Sequence, residues 1–152
     1  MEIVRYEAEG WGVGELRLVD GAVLTHVRPH PGSGLEPKGS HPLVERFQRH
    51  LAGERVAYDD VELVLDWCTS LQRAIAEALR RVSWGETVSY GELSALAGAP
   101  RAPRAAGAFC SANQIALILP CHRVVAAGGL GGYGTDGTAT KRRLLALEGV
   151  LL

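Results

Sequence analysis

No apolar run in the 152 residues approaches the ~20 that a membrane-spanning helix needs, and no basic-then-apolar leader opens the chain. The compartment expected from these absences is the cytoplasm. Cysteine is scarce. Cys68, Cys110 and Cys121 are too few for a disulfide framework, and their odd number suits a reducing environment. No two are spaced as Cys-x-x-Cys, so a structural zinc site has little support. His26, His30, His41 and His50 fit no metal-ligand spacing either, and they read as scattered surface histidines. Neither a metal nor a cofactor is expected. The Gly-rich stretch 128–137 lacks the Gly-x-x-x-x-Gly-Lys-Ser/Thr pattern that cradles phosphate. It reads instead as a flexible loop, rich in backbone donors, that closes over a flat ligand. Repeats and low-complexity segments are missing as well.

What is present suits a globular chain of one domain or two small ones: 47% of residues are hydrophobic and 22% charged. The net charge of −1 conceals an asymmetry. Residues 1–70 hold seven Lys/Arg and twelve Asp/Glu, whereas residues 71–152 hold nine and five. Affinity for nucleic acid comes mainly from basic groups on one surface, so it would lie in the second half. The excess there is modest and also fits an ordinary solvated face.

The first 28 residues alternate like strands, with Asp20-Gly21 as a strong hairpin signal. Residues 29–42 are rich in Gly, Pro and Ser and predict a surface loop. Leu43, Val44, Phe47 and Leu51 predict a short helix over 42–51, stopped by Gly53. Val61 to Trp67 reads as a strand or an extended connector. The second half is helical. Thr69 or Ser70 caps a helix whose Leu71, Ile75, Leu79 and Val82 share a stripe. Ser89-Tyr90-Gly91-Glu92 is a capping box opening a second helix, which stops at Gly98. A third runs from about Arg101 or Pro103 to Ala112, and Thr138 or Thr140 caps a last one. The expected class is α+β: a small sheet domain with a helix over 1–65, then a helical, winged-helix-like helix-turn-helix domain over 66–152. A helical hairpin inside a core explains the paired short helices equally well.

Chemistry concentrates in Leu119-Pro120-Cys121-His122-Arg123-Val124-Val125. The thiolate is the nucleophilic form of cysteine, and an adjacent imidazole raises its fraction, so a partly ionised thiol is expected at neutral pH. The bland alternative is a small buried hydrophobe. The third helix carries one long cation, Arg104, among Ala102, Ala105, Ala106, Gly107 and Ala108. Helices that read the major groove usually carry several long polar side chains. A lone arginine on a thin helix suits a narrow groove or the gap left by an extruded base. Glu148, in the final turn of the last helix, is either a solvated surface group or a carboxylate that orients an imidazole.

Pro120-Cys121-His122-Arg123-Val124, Ser89-Tyr90-Gly91-Glu92-Leu93, Arg104 within Ala-Pro-Arg-Ala-Ala-Gly, Asn113, and Lys141 through Leu144 to Gly149 stand together in one chain. Over about residues 66–149 it resembles the O6-alkylguanine-DNA alkyltransferases, the methylated-DNA–protein-cysteine methyltransferases. The resemblance implies a monomer acting on double-stranded DNA that contains O6-alkylguanine, with O4-alkylthymine as a second candidate lesion, and no membrane partner. It implies that the damaged base is rotated out of the duplex and that its alkyl group passes irreversibly to Cys121. His122 would activate the thiol through a water, and Glu148 would orient His122. Tyr90 would protonate the leaving guanine, and Asn113 would hold the turn. Arg104, Tyr90, Ala105, Gly107 and Ser89 would meet DNA, while Val124, Tyr133 and Thr135 would line the base pocket. The family often has Tyr-Ser-Gly-Gly after the cysteine, and here Tyr133-Gly134-Thr135 stands in that place. Two other readings remain: an alkyltransferase-like sensor that binds the lesion and recruits other repair factors, and a Cys-His-Glu hydrolase that needs no DNA.

Overall fold

The computed structural model describes residues 1–131 and 137–151. The chain forms two compact units, one of residues 1–65 with 114–117 and one of 66–113 with 118–152.

In the first unit, β1 (Glu2–Ala8), β2 (Gly12–Val19) and β3 (Ala22–His30) form an antiparallel sheet in that order. The β2–β3 turn is Asp20-Gly21, with φ of 50° and 82°, the pair of positive values a type I′ hairpin requires. Val4, Tyr6 and Ala8 alternate inward from β1, and Leu16 and Leu18 from β2. Against them packs the apolar stripe of α1 (Pro42–Leu51), formed by Leu43, Phe47 and Leu51. The imidazole of His41 caps this helix, its Nδ1 accepting from the Leu43 N–H at 3.1 Å.

Two of the histidines expected at the surface are buried. Arg17 pairs with Thr25 and Leu18 with Val23, so Leu24 is an extra residue. That bulge turns both Val23 and His26 inward. His50 lies three residues beyond Phe47, on the buried stripe of α1. Burial pushes the His26 pKa down to about 4, so the ring is neutral. Its Nδ1 donates to the Ala116 carbonyl at 2.6 Å, and its Nε2 accepts from the Tyr6 hydroxyl at 2.7 Å. His50 Nδ1 meets the Tyr58 hydroxyl at 2.9 Å.

The stretch at Val61–Trp67 is a connector rather than a strand, touching the sheet through a single bridge between Val23 and Leu63. Residues 114–117 fall on the sequence-based second domain, yet they belong to the first unit. The reason is backbone pairing: His26 N donates to Gln114 O at 2.8 Å and Ala116 N to His26 O at 3.0 Å.

The second unit is built from α2 (Ser70–Arg80), β4 (Val88–Ser89), α3 (Tyr90–Leu96), α4 (Pro103–Ala112), a 3-10 turn (Cys121–Arg123), β5 (Val124–Val125) and α5 (Gly137–Leu147). Thr69 and Gln72 form a capping box on α2, and Ser89 and Glu92 another on α3. Ile75, Leu79 and Val82 are buried as their stripe predicts, but Leu71 at the open end of α2 stays exposed. Helix α5 already begins at Gly137, so Thr138 and Thr140 lie inside its first turn and neither is its cap. Among the described residues no helix is long and apolar enough to cross a membrane.

Candidate active site

Backbone constraints put the reactive residues together before any side chain is considered. Pro120 closes the buried run 115–119, and the 3-10 turn Cys121–Arg123 follows. The chain then locks into a parallel pair, Val124 beside Val88 and Val125 beside Ser89. Val124 is fully buried, and Ser89 at the end of β4 opens α3 with Tyr90. The two stretches singled out by sequence, Ser89-Tyr90 and Pro120 to Val124, are thus neighbours across one short sheet.

Asn113 ends α4, where its Nδ2 donates to the Leu119 carbonyl at 3.0 Å and to Cys121 Sγ at 3.2 Å. It therefore holds both the turn and the sulfur. Burial pushes the Cys121 thiol well above the usual thiol range, and a hydrogen bond with the Cys110 side chain adds to this. The Asn113 bond and the Lys141 charge oppose the shift without cancelling it. At rest the sulfur is therefore a neutral thiol, not the partly ionised one expected from its neighbour.

His122 stands next in the chain. His122 is fully buried, and its Nε2 lies 2.8 Å from Glu148 Oε2. A carboxylate can only accept here, so Nε2 carries the proton and Nδ1 the lone pair. Glu148 is not a solvated surface group: it is 4% exposed. Arg123 Nε donates to its Oε1 at 2.7 Å and Nη2 to its Oε2 at 3.0 Å, while Nη1 reaches the Val82 carbonyl at 2.7 Å. The end of a helix disfavours an anion by up to ~1 kcal/mol. Charge-assisted bonds to a buried guanidinium outweigh that.

Tyr90 is half-buried, and burial raises its pKa, which keeps the phenol protonated and able to donate. Lys141 Nζ sits 5.9 Å from its ring centroid. At Gly131, where φ is 72°, an added Cβ would be strained and would fall 3.0 Å from the Tyr90 hydroxyl, so glycine suits this close passage. On α4, Arg104 is exposed in the first turn, and Ala105 and Gly107 are half-exposed. Pro103 occupies the first turn, where its missing N–H is no loss. The Ser89 hydroxyl already accepts from Glu92 N at 3.0 Å. Tyr133 and Thr135 lie outside the described residues.

Cys121, His122, Glu148, Asn113 and Tyr90 are thus assembled in the second unit, with Arg104, Ala105 and Gly107 outside them on α4. Sequence reasoning missed Arg123 as the partner of Glu148, and it missed the burial of Lys141. A signal for the second existed: Lys141, Leu144, Leu145 and Glu148 follow i, i+3, i+4, i+7 spacing, the pattern of one inward helix face. It missed Cys110, for which no pattern spoke.

Residues 70–150 match the family described as "6-O-methylguanine DNA methyltransferase, DNA binding domain". A methylated-DNA–protein-cysteine methyltransferase of Mycobacterium bovis is 39% identical over 157 aligned positions, covering 96% of this chain and 93% of that one. One from Metallosphaera sedula is 40% identical over 110, covering 72% and 68%. The crystal structure of Mycobacterium tuberculosis OGT in complex with DNA superposes with a TM-score of 0.79 at 34% identity, covering 97% of this chain and 92% of that one. With the matched family spanning over half the chain and the Mycobacterium bovis relative covering 96% of it, the chain belongs to the methylated-DNA–protein-cysteine methyltransferase family.

Proposed function

We propose that this protein repairs O6-methylguanine in duplex DNA by moving the methyl group onto the sulfur of Cys121. The observation that carries the reading is a buried thiol held by Asn113 and followed directly by a His122–Glu148 pair at 2.8 Å. Residues 66–152 are the proposed alkyltransferase domain. The damaged base leaves the stack, which costs a few kcal/mol and least for a poorly paired base. Arg104, exposed on a helix face of small residues, suits the space so vacated.

In the chemical step the Cys121 sulfur attacks the alkyl carbon, forming the S–C bond as the C–O6 bond breaks. The thiol proton passes to His122, through a water as the family resemblance implies. The Glu148 carboxylate stabilises the imidazolium that results. Tyr90, kept as a neutral phenol by burial, donates to the guanine as negative charge develops on it. The product is a thioether. Nothing in this proton path would hydrolyse it, so each molecule acts once.

Incubation with duplex DNA labelled in the O6-methyl group tests the reading. Label transferred to protein in a one-to-one ratio supports it. Binding without transfer points to a lesion sensor, and indifference to the DNA points to an unrelated Cys-His-Glu hydrolase.

A further inference from the structure

His26 is a buried side chain that alkyl transfer leaves unused. It grips the segment 114–116 from backbone and ring alike. Its N–H donates to the Gln114 carbonyl at 2.8 Å, and its carbonyl accepts from the Ala116 N–H at 3.0 Å. Its ring Nδ1 donates to the Ala116 carbonyl at 2.6 Å, so both backbone polar groups of Ala116 end on this one residue. The ring itself is fixed: it stacks on Phe47 with centroids 3.9 Å apart, and its Nε2 accepts from the Tyr6 hydroxyl at 2.7 Å. The gripped segment leads straight into Leu117, a buried residue at φ 68°. A bulky side chain keeps that left-handed conformation only where its surroundings impose it, and such strain gathers at functional sites. The chain enters the segment from Asn113 and leaves it towards Leu119, whose carbonyl accepts from Asn113 Nδ2 at 3.0 Å. The same Nδ2 donates to Cys121 Sγ at 3.2 Å.

We propose that His26 is a positioning residue for the Cys121 thiol: by gripping Gln114 and Ala116 it imposes the strained turn at Leu117, and that turn sets where Asn113 and Leu119 hold the sulfur. That the thiol so placed is the alkyl acceptor rests on the function proposed above; the grip does not. The loop from Asn113 to Cys121 is tied at its ends by Asn113 and at its middle by His26. With the ends alone tied, Leu117 relaxes to negative φ and the turn carrying Cys121 shifts. Attack on an alkyl carbon tolerates little error in distance or direction, and a misplacement of about 1 Å costs on the order of 100-fold in rate. The role falls on Nδ1 rather than on the ring as a whole. Nδ1 is bonded to Cγ, as is the amide nitrogen of asparagine, whereas the amide of glutamine ends one bond further out, at the place of Nε2. Asparagine at position 26 therefore keeps the donor to Ala116 and loses the acceptor for Tyr6. Glutamine does the reverse.

The test compares the full chain as wild type, His26→Asn, His26→Gln and Tyr6→Phe. Four quantities are measured: the urea midpoint, the affinity for unmodified duplex DNA, single-turnover methyl transfer at saturating methylated DNA, and, without DNA, the rate at which iodoacetamide labels Cys121, mapped by peptide mass. All three variants should unfold at lower urea, since each removes a partner from a buried polar group. Affinity for DNA should stay at the wild-type value throughout. Transfer should fall about ten- to hundred-fold in His26→Gln alone, and Cys121 should label faster in that protein as the sulfur loses its hold. His26→Asn and Tyr6→Phe should match wild type in both. Equal transfer in the Asn and Gln variants, or losses that follow the urea midpoint, would overturn the proposal. Should His26→Asn not fold, the contrast between His26→Gln and Tyr6→Phe decides in the same way. A wild type that transfers no methyl group would end the functional reading, and the iodoacetamide contrast would still decide on the grip.

Discussion

Replacing Glu148 by glutamine separates the role of that carboxylate in the fold from its role in the reaction. The carboxylate balances the buried Arg123 guanidinium and accepts from His122, at 2.7 to 3.0 Å throughout. Glutamine keeps the shape but leaves Arg123 buried without a counter-charge, a change that costs about 3–5 kcal/mol in comparable sites. Against a stability of about 5–15 kcal/mol the variant still folds, at a clearly lower urea midpoint. Its transfer rate should fall by about one to three orders of magnitude, less than the roughly 10⁴-fold loss in a triad whose base touches the nucleophile, because the proposed path from Cys121 to His122 runs through a water. The double variant Glu148→Gln/Arg123→Met tells the two effects apart. Removing the stranded guanidinium should restore most of the stability, less about 1 kcal/mol for the lost bond to the Val82 carbonyl. The rate should stay low, because His122 still lacks its carboxylate. Urea unfolding and single-turnover transfer on wild type and both variants provide the check. A Glu148→Gln protein with wild-type stability and wild-type rate would refute the reasoning, and a double variant that regains rate along with stability would reassign Glu148 to the fold alone.

Cys121→Ser should abolish transfer while retaining DNA binding, since a hydroxyl is a far poorer nucleophile than a thiol deprotonated by His122; alkylation found at Cys68 or Cys110 would move the site. Arg104→Ala should slow repair of duplex DNA much more than reaction with free O6-benzylguanine, because the residue is assigned to base extrusion, and equal losses on both substrates would contradict this. His26 gives a pH signature in the first unit. Its pKa is about 4 in the fold against an ordinary 6.5, so its contribution is whole above pH 6.5 and is lost as pH falls from there towards 4. That amounts to about 3 kcal/mol in all, and denaturation curves of wild type and His26→Gln should converge as pH falls; parallel curves would count against it.

Local rules carried much of the fold. The Asp20-Gly21 hairpin, the two capping boxes and the stripes on α1 and α2 are each decided by residues close together in sequence. The misses are long-range. His26 and His50 are buried because a bulge at Leu24 and the stripe of α1 turn them towards Tyr6 and Tyr58, partners 20 and 8 residues away. Residues 114–117 join the sheet unit through bonds to His26, which no periodicity announces. At the site, Cys121, His122 and Asn113 could be picked out by motif, but the protonation state of the thiol could not. It depends on burial, on Cys110 and on Lys141, none of which is a sequence neighbour of Cys121. Arg123 illustrates the same limit: adjacent to His122 in the chain, it is engaged with a carboxylate 25 residues on.

The most direct test of the account is the mass of the intact protein and of its cysteine-bearing peptides after reaction with an excess of duplex DNA containing O6-methylguanine. The account predicts the gain of one methyl group per chain, confined to the peptide that carries Cys121, with no further gain on prolonged incubation. An unchanged mass, a methyl group on Cys68 or Cys110, or continued consumption of methylated DNA beyond one equivalent would contradict it.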